Sequence, residues 1–297
     1  MPPAWGPKSC GGIVWWKGIA FSIGAVAALL AAANAVGSLS WSSQLARLTR
    51  RLETWEPSEV TPYDKDELKD LPPPVQRYLR SALTDGQKII TTVRLQQDGW
   101  FNLSEKGERW VRFRAEQRVV PRPAGFVWNA RMTIAPGFPI RVVDAYTAGE
   151  GTLVASLWGL LPVAKQEPSP ELAVGELIRF LAEAIWYPTA LLPSQGVSWR
   201  AIDDRRAMAQ LSDGHATAEL LFEFGDDHLV RTIRCKSRPR LTQGRTVPAP
   251  WLVRVGNYTR LHGMLIPLEG SVGWIVEGKL RPYFRGKITR IEFEFAR

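Results

Sequence analysis

The body of the chain alternates hydrophobic and polar residues over many short segments. From Val111 to Val119, apolar side chains alternate with arginine and glutamate, the two-residue period of a strand with one buried face. The same period recurs in residues 126–134, 140–147, 228–237, 257–278 and 287–295. Asp213 and Gly214 separate two further alternating runs and are typical of a tight hairpin turn. The pattern predicts an antiparallel sheet built from hairpins.

One segment between the strands has the period of a helix instead. Ser169 followed by Pro170 is typical of a helix start, and Pro188 disfavours helical geometry at Tyr187. These signals predict a central helix over residues 170–187. An apolar stripe is formed by Leu177, Ile178, Leu181, Ala184 and Ile185, with Glu176, Arg179 and Glu183 on the other side. We expect the stripe to lie on the sheet and the charged side chains to be exposed at its edge.

Strands on both sides of one long helix define the expected fold class. We predict an α+β fold in which a curved antiparallel β half-barrel or barrel encloses the central helix. An N-terminal transmembrane helix would precede this domain. The predicted divisions are residues 1–40 as membrane anchor or signal segment, 41–69 as amphipathic helix and linker, and 70–297 as the β-rich domain.

The N-terminal prediction rests on residues 18–39, which carry no charge and are long enough to cross a hydrocarbon core as a helix. The two tryptophans and the lysine just before this segment suit a membrane interface. An alternative is a secretory signal cleaved after Ala35, because the preceding sequence is Ala-Asn-Ala. Basic residues flank both ends and do not decide the topology. We favour an uncleaved anchor with the body in the periplasm or another extracytoplasmic space.

Residues 41–56 have leucines at helical spacing with arginines between them, which predicts an amphipathic helix. Such a helix is able to lie on a bilayer surface. An acidic linker with two prolines follows it. The β-rich domain is therefore expected to begin near residue 70.

The amino-acid composition excludes some classes of protein and some partners. The chain of 297 residues is 45% hydrophobic and has 13 tryptophans, which argues against disorder. Its net charge of +9 is compatible with anionic lipid partners or with a merely solvated surface. Basic residues alternate with acidic ones and no nucleic-acid-binding motif is present, so nucleic acid is not an expected partner. The two cysteines, Cys10 and Cys235, are not expected to pair, and the three scattered histidines predict no metal site. No cofactor is predicted.

The candidate ligand-binding residues are those expected around a hollow between helix and sheet. They are Trp128, Met132, Leu181, Glu183, Trp186, Tyr187, Asp203 and Phe222. The apolar members would remove an acyl chain from water. The acidic members would lie at the opening.

Several stretches together resemble a known but uncharacterised bacterial family. They are the sequence of residues 175–207, with "LPPPVQRYLR", "GWFNL" and "FVWNARM". Over about residues 70–297 the chain is similar to this family, which is defined only as a domain of unknown function. Its architecture is similar to the Lol-type lipoprotein carrier superfamily, in which a curved half-barrel shelters an acyl chain. The full hydrophobic span here departs from carriers that shuttle freely.

Three functions are compatible with this sequence. The first is a membrane-tethered extracytoplasmic protein that binds a lipid, a lipoprotein or another amphiphile. The second is an enzyme that uses a carboxylate and arginine cluster near Glu183 and Asp203. The third is a structural protein of the bacterial envelope. No reaction and no oligomeric state is predicted.

Overall fold

The computed structural model of the protein describes residues 12–53, 61–104, 107–135, 137–242 and 244–296. These residues form three α-helices, several short 3₁₀ turns and thirteen β-strands. The helices are α1 (Gly12–Leu52), α2 (Pro73–Ala82) and α3 (Pro170–Glu183). The strands are β1 (Ile90–Asn102), β2 (Trp110–Val120), β3 (Gly125–Ala135), β4 (Phe138–Thr147), β5 (Glu150–Leu157), β6 (Leu161–Gln166), β7 (Ser198–Asp203), β8 (Arg206–Asp213), β9 (Ala216–Phe224), β10 (Val230–Thr242), β11 (Arg245–Leu261), β12 (Met264–Val276) and β13 (Lys279–Phe295).

All thirteen strands belong to one sheet, in the order β6-β5-β4-β3-β2-β1-β13-β12-β11-β10-β9-β8-β7. Each pair of neighbours is antiparallel, including β1 with β13. Consecutive strands form hairpins in each half of the chain, and α3 connects the two sheet edges β6 and β7. Pairing of the first strand with the last therefore unites the two halves.

The sheet is strongly curved. In the sheet order β4 and β9 are eight places apart, which would separate them by about 38 Å in a flat sheet. Nevertheless α3, a helix only about 10 Å wide, contacts both of them. The Tyr146 hydroxyl on β4 also donates a 2.8 Å hydrogen bond to Asp213 on β8. The sheet thus wraps around α3 while β6 and β7 remain unpaired edges, which confirms the predicted half-barrel and not the closed barrel.

The central helix begins where its sequence predicts, at Pro170, and ends at Glu183, four residues before the predicted end. The Ser169 side chain accepts a hydrogen bond from the Leu172 amide, and Pro170 occupies the first turn. After Glu183 the chain tightens into a 3₁₀ turn at Ala184–Trp186, just before Pro188. Local cap chemistry therefore fixes where this helix lies in the chain.

The half-barrel has two unlike ends. We call the end at which β1, β3, β5, β8, β10 and β12 finish the mouth, and the opposite end the closed end. Helix α2 lies at the closed end, where Arg260 donates to the Ser81 carbonyl and Tyr78 packs on Phe224. Its residues Val75, Tyr78 and Leu79 are fully buried, so α2 fills this end of the core.

The second half of α1 packs on the convex face of the sheet. Trp41, Leu48 and Leu52 form a small core with side chains of β2, β3 and β4. Gly37 lies against the backbone of Trp158 after β5, at the mouth. Leu52 lies against Gly125 at the start of β3, at the closed end. The apolar face of the predicted amphipathic helix is therefore covered by protein, not by a bilayer surface.

Some N-terminal predictions lie outside the described residues. Residues 1–11, together with 54–60 of the predicted helix end and linker, belong to this group. Among the described residues, none of the helices is long and apolar enough to cross a membrane. The predicted divisions 1–40, 41–69 and 70–297 stay predictions, and the single helix α1 continues through the first boundary.

Candidate functional site

The charged side of α3 is buried, contrary to expectation. Glu176 is only 3% exposed, and the side chains of Arg179 and Glu183 are each 14% exposed. The prediction that these residues are exposed at the sheet edge is wrong, because the sheet wraps around the helix and covers its polar side as well. A buried charge network results.

Arg179 is the centre of this network. Its guanidinium forms ion pairs with Asp144 on β4 at 2.5 Å and with Glu183 at 2.8 Å. The ring of Trp128 lies beneath the same guanidinium, 5.0 Å from its central carbon. Glu183 in turn accepts a 2.6 Å hydrogen bond from the Gln117 amide on β2. Burial alone would lower the pKa of Arg179, but the two carboxylates more than offset this and raise it.

The buried environment of Glu176 favours its neutral form. Burial raises its pKa well above the ordinary value, and the nearby charge of Asp144 raises it further. Glu176 Oε2 and Asp144 Oδ1 are both buried, and neither oxygen has a hydrogen-bond partner. A proton held by Glu176 and donated to Asp144 satisfies both oxygens. Asp144 and Glu183 are the two acidic groups that form ion pairs with Arg179.

Arg238 on β10 holds the other side of α3. Its Nε donates to the Gly175 carbonyl at 3.2 Å, and its guanidinium lies over the rings of Trp251 and Trp274, at 4.6 and 5.6 Å from their centres. It also donates to the Tyr283 hydroxyl. The helix is therefore attached by charged groups to both halves of the sheet.

Beyond α3, toward the mouth, aromatic side chains line the concave face. We call Phe101, Trp251, Trp274, Tyr283 and Phe284 the aromatic lip. Tyr283 connects it: its ring contacts Phe101 and Trp274, and its hydroxyl accepts from the indole of Trp251. All but Trp251 are only partly buried, although they lie on the inner face of the sheet. The lip is thus an apolar surface that water reaches.

The predicted lining residues lie in a filled core. Leu181, Tyr187 and Phe222 have no accessible surface, and Trp128, Met132 and Trp186 have little. A side chain with no accessible surface borders no space that holds a water molecule. The hollow expected beneath the apolar stripe of α3 is therefore occupied by side chains. Whether these residues contact a ligand stays a prediction.

The predicted acidic residues do not come together. Glu183 binds Arg179 and Gln117 inside the half-barrel, whereas Asp203 binds Arg206 and the Arg205 amide at the closed end. Hydrogen bonds from Arg206 hold the pKa of Asp203 below its usual range. Asp203 lines a surface pocket of about 550 Å³ whose other walls are mostly charged and do not include Glu183. The carboxylate cluster proposed for an enzyme thus has no shared site.

Several residues of the network were not singled out by the sequence. Asp144, Gln117 and Arg238 are polar residues within strands, and Asp144 and Gln117 occupy positions on the apolar side of the alternating pattern. A polar residue at an otherwise apolar position is the feature of the sequence from which these buried residues could have been predicted. Among the described residues, no group of three or more histidine, cysteine or acidic side chains is arranged to hold a metal ion.

Residues 69–293 match the family of unknown function DUF6920. The chain therefore belongs to this family, which confirms the resemblance expected from the sequence. No curated protein matches the chain.

Two solved structures are similar to the chain at low identity. One is a LolA superfamily protein from Nitrosomonas europaea, with a TM-score of 0.35 and 8% identity, covering 74% of this chain and 92% of that one. The other is a β-barrel-like protein of the domain of unknown function DUF1849 from Brucella abortus, with a TM-score of 0.30 and 9% identity, covering 70% of this chain and 100% of that one. With TM-scores this low, neither likeness bears on function.

Proposed function

We propose that this protein is a membrane-tethered, extracytoplasmic binding protein for a lipid or another amphiphile, which it holds on the aromatic lip. The observation that carries the proposal is the partial exposure of inward-facing Phe101, Trp274, Tyr283 and Phe284. A sheet normally buries such side chains on its concave face. An acyl chain covering them gains about 25 cal/mol for each Å² removed from water.

The charge network favours the lip over the core as the ligand site. Because the apolar side of α3 is filled, a chain entering there would have to displace fully buried residues such as Leu181. The ion pair of Arg179 with Asp144 and the hydrogen bond from Arg238 to the Gly175 carbonyl hold α3 against both halves of the sheet, which opposes such a displacement. At the lip no displacement is needed, and Arg240 over Trp274 offers a cation for an anionic head group.

The membrane tether is proposed from α1. Residues 18–39 carry no charged side chain, and Phe21 and Leu39 are 81% and 74% exposed. Exposed apolar side chains along a helix are costly in water and favourable in a bilayer. An early apolar segment of this kind would direct the body out of the cytoplasm.

The test is ligand detection followed by a comparison of two variants. The full chain, extracted in detergent, is analysed by native mass spectrometry for copurifying lipid and is titrated with a fluorescent fatty acid. Trp274→Ser in the lip should weaken binding at least tenfold, or about 1.4 kcal/mol. Ile202→Ser, an exposed position away from the lip, is the control and should leave the affinity unchanged. Absence of lipid together with equal affinity of the two variants would disprove this function.

A further inference from the structure

The mouth carries most of the exposed large apolar side chains of the sheet. Trp100 and Leu103 lie where β1 ends, Ile134 and Phe138 lie at the turn between β3 and β4, and Leu160 and Leu161 lie at the turn between β5 and β6. The hairpin of β10 and β11 adds two more. Among the described strand residues, Ile202 alone is comparably exposed near the closed end. The exposed apolar side chains therefore come from many different strands but gather at one end of the half-barrel.

Helix α1 leaves the body at the same end. It contacts Gly125 at the closed end through Leu52 and Trp158 at the mouth through Gly37, so its direction along the sheet is fixed. The described side chains from residue 21 to residue 36 are exposed apart from partly buried Ala33. Residues 12–36 continue past the mouth as helix for about 37 Å at about 1.5 Å per residue.

The charge around the mouth is positive. Among the described residues, Arg109, Arg240, Arg245, Lys279 and Arg281 flank its loops, against Glu108, Asp213 and Glu277. Arg240 lies over the ring of Trp274, so this cation accompanies an aromatic side chain. Tryptophan with arginine or lysine is typical of the headgroup region, where basic side chains are attracted to an anionic surface.

We propose that the mouth docks on the surface of an anionic lipid bilayer, with the turn between β5 and β6 inserted among the headgroups. This inference rests on the proposed tether and deepens it, because it states which end of the half-barrel faces the membrane. The exit of α1 and the basic loops select a bilayer over a protein partner. Docking in this orientation brings the aromatic lip next to the bilayer, so an amphiphile passes between them without crossing water.

The experiment places one fluorescent label at each end of the full chain. In a background with Cys10→Ser and Cys235→Ala, cysteine is introduced by Leu161→Cys at the mouth, where Leu161 is 55% exposed, or by Asp226→Cys at the closed end, where the side chain is 83% exposed. Each labelled chain is reconstituted into vesicles of equimolar phosphatidylglycerol and phosphatidylcholine. Quenching by aqueous iodide and by spin-labelled lipid is then measured.

We expect the label at position 161 to be at least threefold less accessible to iodide than the label at position 226, and to be quenched by spin-labelled lipid. In vesicles of phosphatidylcholine alone, this protection should decrease because the headgroups carry no net charge. A chain that floats with the vesicles but has equal iodide accessibility at both positions would overturn the docking alone. A chain that does not float with the vesicles would overturn the tether and the docking together.

Discussion

The closed end and the mouth of this half-barrel are built from the same strands but treat apolar side chains in opposite ways. At the closed end α2 buries Val75, Tyr78 and Leu79 completely. At the mouth no comparable element covers the described residues, and Leu161 and its neighbours are exposed. An antiparallel sheet can therefore be a finished core at one end and an open apolar surface at the other.

The difference is informative because monomeric soluble domains rarely expose a large contiguous apolar surface. One end satisfies the ordinary requirement of folding. The other end carries side chains that the fold does not use. The proposed ligand site and the proposed docking surface both lie at the mouth, and the buried charges of α3 lie between the two ends.

The largest expected effect on stability concerns the buried charge network of α3, which lies between the two ends. Arg179→Met should reduce the free energy of unfolding by about 3–5 kcal/mol, because Asp144 and Glu183 would remain buried without their cation. Denaturant unfolding in detergent measures this loss. Arg94→Met is the matched control, since Arg94 pairs with Glu294 at an exposed site and should change stability by less than about 1 kcal/mol. Equal losses in the two variants would show that the ion pairs of Arg179 are no more important for stability than an exposed pair.

The second prediction tests the two ends directly with one type of substitution. Leu79→Ala at the closed end should cost about 2–5 kcal/mol through a buried cavity. Leu161→Ala at the mouth should change stability by less than about 0.5 kcal/mol. Thermal and denaturant unfolding of both variants provide the comparison. A large loss from Leu161→Ala would mean that the mouth is part of the core.

Much of the fold was predictable because local signals were strong. Alternation from Val111 to Val119 and the Asp213-Gly214 turn identified strands that the structure contains as β2, β8 and β9. Ser169, Pro170 and Pro188 located α3 within a few residues. These signals depend on residues close in sequence, so no tertiary information was required.

The site was less predictable because it depends on how far the sheet curls. A helical wheel places Glu176 opposite the apolar stripe, and exposure follows only if the sheet covers one side of the helix. The sheet in fact covers more than one side of α3, because the helix contacts both β4 and β9. The ion pair between Arg179 and Asp144 joins residues from separate elements. The sequence separation of these two residues gives no indication that they are in contact.

The smallest effect expected is also the most specific, and it concerns Glu176. Its pKa is raised in the folded state by burial and by Asp144. Stability from the neutral group is therefore complete below the ordinary pKa of 4.5 and is lost as the pH rises through the raised value. For a single proton, the free energy of unfolding decreases by at most about 1.4 kcal/mol per pH unit.

Glu176→Gln should remove this pH dependence, because the glutamine amide donates to Asp144 and carries no titrating proton. Near pH 4 the variant and the parent chain should be almost equally stable, and above the ordinary pKa the variant should become the more stable of the two. Denaturant unfolding across a pH series measures the difference, with Glu171→Gln on the exposed first turn of α3 as the control. A difference that is constant with pH would mean that Glu176 has the same pKa in the folded and the unfolded chain, and burial beside Asp144 would then not favour its neutral form.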